Sequence, residues 1–189
     1  MKVLGINASP RSGGNSQLLL ERALEGAVSA GAEVSTLSLS SLHISPVREE
    51  EYENISGSGL SVVEDGMSAV FKEIMKADIV IIASPIFFGS LTAQAKAMID
   101  RFQCVWLSKK VFGMEVIKGR KKGAFICVEA TERHDFFDNA KFIVRHFFAT
   151  INAEYAAELL ATGLDKKGKV LERPELLEQA FDLGKNLVK

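Results

Sequence analysis

The sequence predicts a single α/β domain over residues 1–189, built in three layers with helices on both faces of a five-stranded parallel sheet. Two observations carry this. Short apolar runs alternate with longer amphipathic segments along the chain, β then α five times, and parallel strands need such crossovers. One run, IVIIAS at residues 79–84, is apolar and largely β-branched, as befits a strand covered on both faces.

The elements follow in order. KVLGIN at residues 2–7 reads as the first strand. Residues 16–30 set Leu18, Leu19, Leu20, Ala23, Leu24 and Val28 at helical spacing, and Gly31 stops the helix. Residues 33–39 alternate as a second strand, and residues 67–75 form a helix ahead of the third strand at 79–84. Residues 91–102 are helical again, and KGAFICVEA, 122–130, is the fourth strand. A helix at 136–151, a weaker strand at 155–160 and a last helix at 174–188, opening on Pro174, complete the pattern. Residues 40–63 have no clear period and carry REEEYE and SGSG. They read as a solvated surface excursion, or else as a lid, a gate or a subunit contact.

Composition narrows the function classes. With 47% hydrophobic and 25% charged residues the chain is of the soluble globular type. Its 23 basic and 24 acidic residues leave a net charge of -1, so no overall field draws it to nucleic acid or to an anionic membrane. The longest uncharged stretch near mid-chain, 79–95, is broken by Pro85 and Gly89 and does not span a bilayer. No secretory h-region opens the chain, and a cytoplasmic location is expected. Cys104 and Cys127 sit in the apolar contexts FQCVW and FICVE, as buried free thiols do.

NASPRSGGNSQ, residues 7–17, is too polar for core and too close to a strand and a helix to be a linker. Sheets of this class bind ligands at the carboxyl ends of their strands, where this segment lies. Helix-start N–H groups supply directed donors and the positive end of a dipole. Ser9, Ser12, Asn15 and Ser16 add donors, Arg11 adds charge, and Gly13 and Gly14 let the backbone curl close to an anion. A Walker loop is excluded because the segment has no Lys, and a dinucleotide fingerprint because Gly5, Gly13 and Gly14 are wrongly spaced. A single phosphomonoester suits it. A second segment, SPIFFGSLTAQAKAMIDR, starts where the third strand ends; Pro85 and Gly89 bracket Ile86, Phe87 and Phe88, joining backbone donors to aromatic faces as a flat heteroaromatic ring requires. Phe87 and Phe88 taken alone also fit the core.

ASPRSGGNS and SPIFFGSLTAQAKAMIDR, at this separation, closely resemble the two FMN-binding loops of the NADPH-dependent FMN reductase family, a likeness running over residues 2–101. That family includes quinone reductases and iron-sulfur flavoproteins. The resemblance implies a flavodoxin-like sandwich with strand order 2-1-3-4-5, FMN as cofactor, and NADPH or NADH as reductant. It implies that Ser9, Arg11, Asn15, Ser16 and the amide of Gln17 hold the FMN phosphate, while Pro85, Ile86, Phe87, Phe88 and Gly89 border the isoalloxazine ring. After the fourth strand, where relatives have a small Gly-rich turn, this chain reads EATERHD; Ala130 and Thr131 would offer main-chain bonds, and Arg133 or His134 face a substrate or solvent. Glu64, Asp65 and Met67 match the acidic pair and Met of the iron-sulfur relatives, yet no cysteine precedes them, and Cys104 and Cys127 cannot build a four-thiolate cluster.

The implied function is an FMN-dependent NAD(P)H oxidoreductase reducing a small acceptor such as free flavin or a quinone. A flavodoxin-like electron carrier and a non-redox phosphate-binding module are the alternatives; a net charge of -1 gives little of the steering a carrier uses. No catalytic side chain is assigned, since flavin chemistry needs no acid-base residue. Glu129, His43, His134 and His146 match no triad or metal spacing, and no metal is expected. The resemblance also implies a homodimer or homotetramer, with Phe102, Val105, Trp106, Leu107 and Val111 serving either association or the core.

Overall fold

The computed structural model describes residues 1–48, 59–60 and 63–189, so most of the aperiodic 40–63 segment lies outside the described residues. In chain order the elements are β1 (Lys2–Asn7), α1 (Asn15–Ser29), β2 (Glu33–Ser38), α2 (Met67–Lys76), β3 (Ile79–Pro85), α3 (Ala93–Asp100), α4 (Gln103–Phe112), β4 (Lys121–Val128), α5 (Phe136–Thr150), β5 (Ala153–Ala161) and α6 (Pro174–Val188). All the strand pairs are parallel, in the order β2-β1-β3-β4-β5, which meets the expected topology. Every strand therefore ends at the same edge of the sheet, and the loops after β1, β3, β4 and β5 share that edge.

Strand side chains sort by the two-residue period into two cores. Val3, Ile79, Ile81, Ala83, Ala124 and Ile126 pack with Leu20, Ala23 and Ala27 of α1 and Leu176 and Ala180 of α6. Leu4, Ile6, Val80, Ile82, Phe125 and Cys127 pack with residues of α2 to α5 on the other face. There Phe102 meets Phe71 and Phe147 edge-on, with centroids 4.8 and 5.0 Å away.

One element differs from the sequence reading. The helix expected over 91–102 ends at Asp100, and a separate helix follows over Gln103–Phe112 with Phe102 as its N-cap. Phe102 and Val105 are buried while Trp106 and Val111 are exposed, so the apolar group expected at 102–111 is the inner and outer face of one helix. Cys104 and Cys127 are buried free thiols. Among the described residues no helix is long and apolar enough to cross a membrane.

Helices α1 and α6 touch backbone to backbone. A Cβ on Gly26 would stand 1.9 Å from the Phe181 carbonyl oxygen, and one on Gly184 would stand 1.7 Å from that of Ala23. Alanine favours an isolated helix over glycine by about 1 kcal/mol. Here Gly184→Ala must force the helices apart, and we expect it to destabilise the protein by about 2 kcal/mol in urea unfolding. A stabilised variant would show that the helices do not meet this way.

Candidate functional site

The loop after β1 is shaped by its own side chains before any ligand is considered. Asn7 accepts the Ser9 N–H (3.0 Å) and donates to Gln17 Oε1 (3.3 Å), which also accepts the Gly13 N–H (2.8 Å). Ser9 Oγ accepts from the Arg11 N–H (3.1 Å), and the Gly14 N–H bonds the Arg11 carbonyl (3.1 Å). Gly13 sits at φ 66, the left-handed region that glycine enters without strain. At Gly14 a Cβ would meet Ser9 Oγ at 3.0 Å and the Arg11 carbonyl at 3.1 Å, so a side chain would fill the hollow of the loop.

This loop delivers the start of α1 uncapped. Gly14 offers no side-chain cap, and the first turn contains no acidic residue. Among the described residues the N–H groups of Asn15, Ser16 and Gln17 find no acceptor. Asn15 and Ser16 are nonetheless buried, and the hydroxyl of Ser16, a residue 1% exposed, has no hydrogen-bond partner among the described residues. A buried helix end with unsatisfied donors costs free energy unless an acceptor fills it. Donor geometry and dipole both select an anion.

Asn15 has a different task from the one its position suggests. Its carboxamide donates to the carbonyls of Leu164 (3.0 Å) and Lys166 (2.8 Å) and accepts from the Val170 N–H (3.2 Å). With both donors engaged, only its backbone N–H faces the anion question. Gln17 likewise spends its side chain on Gly13, Asn7 and Glu21. Arg11 is exposed at the loop.

The loop after β3 is a tight turn. Phe87 and Ser90 exchange backbone hydrogen bonds of 2.9 and 3.1 Å, and Phe88 and Gly89 between them take φ 50 and 70. A positive φ at phenylalanine costs of order 1 kcal/mol. The cost holds the Phe88 ring wholly in solvent, at 108% exposure, with Phe87 at 40%. Ile86 gives its N–H to Val128 and Phe87 gives its own to Ser90, so the amides this loop still offers are those of Phe88 and Gly89. Asn139 fixes Gly89 by a 3.0 Å bond to its carbonyl, and Phe136 packs beneath it with Arg133 4.1 Å above that ring. Pro85 and Ile86 are half-buried at the strand end.

Behind β4, Glu129 is 5% exposed and organises EATERHD: it accepts the Thr131 N–H (2.7 Å) and hydroxyl (3.2 Å). Thr131 is thus turned onto Glu129, leaving the Ala130 N–H as the main-chain donor of that pair. The loops are sewn together by Thr92 Oγ1 to the Ala8 carbonyl (2.8 Å), Leu164 N–H to Glu129 (3.0 Å) and Gly163 N–H to Thr131 (2.9 Å). An anion seat and an aromatic tip therefore stand on adjacent strands of one rigid edge. The sequence reading missed Asn7, Thr92 and Glu129; Asn at a strand end and Thr before a helix are the local signals that mark the first two.

Ser45 and Asp65, ahead of α2, are joined by way of Arg101 in a buried ion pair. Arg101 Nη1 reaches Asp65 Oδ2 at 2.5 Å and the Ser45 carbonyl at 3.0 Å, with both side chains at most 4% exposed. Burial works to raise the Asp65 pKa, and the bonds from Arg101 and the N–H groups of Met67 and Ser45 overcome it, so the carboxyl titrates below its ordinary range.

A family model described as NADPH-dependent FMN reductase matches residues 1–155. The chain is 28% identical over 199 residues to an iron-sulfur flavoprotein of Methanocaldococcus jannaschii, covering 99% of this chain and 95% of the relative. Among solved structures it is similar to a flavone reductase (TM-score 0.75, 19% identity, 100% of this chain and 62% of that one). It is also similar to the NAD(P)H:quinone oxidoreductase of Methanothermobacter marburgensis (TM-score 0.72, 22% identity, 99% and 96%). Both structural likenesses concern the fold.

Two outcomes test this geometry. Asn15→Ala removes three hydrogen bonds across the strand-end loops and should cost about 2–3 kcal/mol in urea unfolding. Asp65, with its folded pKa below its unfolded one, adds stability that is complete above about pH 4 and lost as pH falls through the folded value. Asp65→Asn takes one carboxylate from the buried Arg101 guanidinium; it should cost about 1–3 kcal/mol at pH 7 and flatten the acid limb of a stability-against-pH curve.

Proposed function

This chain belongs to the NADPH-dependent FMN reductase family, and we propose that its FMN-dependent NAD(P)H oxidoreductase activity serves a small acceptor such as free flavin or a quinone. The residues present fit FMN. A buried Ser16 hydroxyl without a partner, at an uncapped helix start, is the observation that carries the reading, because a terminal phosphate satisfies it and the free N–H groups together. Ser9, Arg11, Ser16 and the main-chain amides of Asn15 and Gln17 would hold the phosphate. Phe87, Phe88 and Gly89, with Pro85 and Ile86 behind them, would border the ring, and the Ala130 N–H beside Thr131 would meet its polar edge.

Bound FMN supplies the redox step, accepting electrons from a nicotinamide and passing them to the acceptor. The chain binds and orients: main-chain donors favour negative charge near the ring, and the exposed aromatic tip leaves an open face to a flat acceptor. The chain has only two cysteines, so the reading includes no four-thiolate cluster, although the Methanocaldococcus relative is named an iron-sulfur flavoprotein. A homodimer or homotetramer in the cytoplasm completes it; Trp106, Val111 and Phe112 of α4 and Phe142 of α5 are large apolar side chains at least 43% exposed.

Anaerobic mixing with FMN and then NADH or NADPH should bleach the flavin absorption, and a free flavin or quinone should restore it. Tight FMN binding with no bleaching by either nucleotide would remove the enzyme reading. Ser16→Ala should weaken FMN about tenfold and leave riboflavin unchanged, as expected for one charge-assisted hydrogen bond. Equal losses for both ligands would remove the phosphate assignment.

A further inference from the structure

The loop between β5 and α6 lies beyond residue 155, where the family match ends, yet it borders the anion seat. We infer that Lys167 of this loop is a second cationic ligand of the flavin phosphate; the inference rests on the FMN reading above. Its side chain lies along the backbone of the seat: a Cβ on Gly13 would stand 3.2 Å from Lys167 Cε and 3.5 Å from Nζ. This placement is held from both sides, because Asn15 grips the Leu164 and Lys166 carbonyls before the lysine and the Val170 N–H after it. The same side chain that opens α1 thus fixes the segment that presents the ammonium.

Charge supports the assignment. A phosphomonoester carries about -1.5 to -2 at neutral pH, and residues 7–17 contain one cation, Arg11. Lys169 is spent on Asp165, 3.4 Å away, whereas Lys167 has no carboxylate partner among the described residues. No acidic residue in the first turn of α1 competes for it. The buried Ser16 hydroxyl at the same helix start, without a partner among the described residues, is an independent sign of a missing acceptor. An ammonium binds phosphate as a compact point charge with three rotatable donors and needs no fixed pairing of oxygens.

The test titrates FMN and riboflavin into the flavin-stripped full chain, as wild type, Lys167→Gln and Lys166→Gln, following flavin fluorescence. Lys167→Gln should weaken FMN about tenfold with riboflavin unchanged, while Lys166→Gln, the same charge one residue away, changes FMN by less than about twofold. The dependence of FMN affinity on salt should also become shallower in Lys167→Gln alone. Equal effects from the two lysines, or a parallel loss of riboflavin, would overturn the assignment. A wild type that binds FMN no better than riboflavin would overturn the phosphate reading beneath it as well. A wild type that prefers FMN, with that preference intact in Lys167→Gln, would overturn the lysine assignment only.

Discussion

The strand-end surface of this protein depends on how one carboxamide is spent. Asn15 is the first residue of α1, directly after Gly14, whose lack of a side chain leaves the helix uncapped. The Asn15 carboxamide reaches into the loop after β5 and saturates itself there, with two donors and one acceptor used. Two features therefore meet here. The helix start, uncapped at Gly14, keeps its first N–H groups open, and the last loop is brought alongside it. A serine or aspartate at position 14 would cap the helix, and loss of the carboxamide at position 15 would release the loop.

Rigidity on this edge comes from short polar links between loops more than from burial within each. Thr92 ties the loop after β3 to the one after β1, and Glu129 with Thr131 ties the loop after β4 to the one after β5. Asn139 pins the tip that carries Phe88. Donors that are to meet a ligand must not rearrange to do so, and each of these links fixes a backbone group rather than a side chain. The Asp65–Arg101 pair does the same for Ser45 and the start of α2, at the expense of burying two charges.

The parallel sheet was legible in the sequence because covered strands such as IVIIAS must be apolar on both faces, while the crossover helices carry one apolar stripe. Its strand order came from the likeness of two loops, and the structure has the same order. The helix over Gln103–Phe112 was hidden by a break at Phe102, where apolar residues continue across a change of axis and leave no polar punctuation. The tasks of Asn15 and Thr131 were not legible either. Residue type announces a donor, but whether it is offered to a ligand depends on carbonyls as far as 151 residues away in the chain for Asn15 and on a neighbouring carboxylate for Thr131. Lys167 carries no local signature at all; only the fold lays it on Gly13.

The glycine contact between α1 and α6 also bears on synthesis. The helix that opens the site near the amino terminus has its seat on a helix that leaves the ribosome roughly 160 residues later. At ordinary elongation rates that delay is on the order of ten seconds. Through that interval the side of the first helix that carries Ala23 and Gly26 lacks its helical mate, although its other apolar side chains can already meet the strands. That side is the one a chaperone would need to shield until residues 174–188 are made.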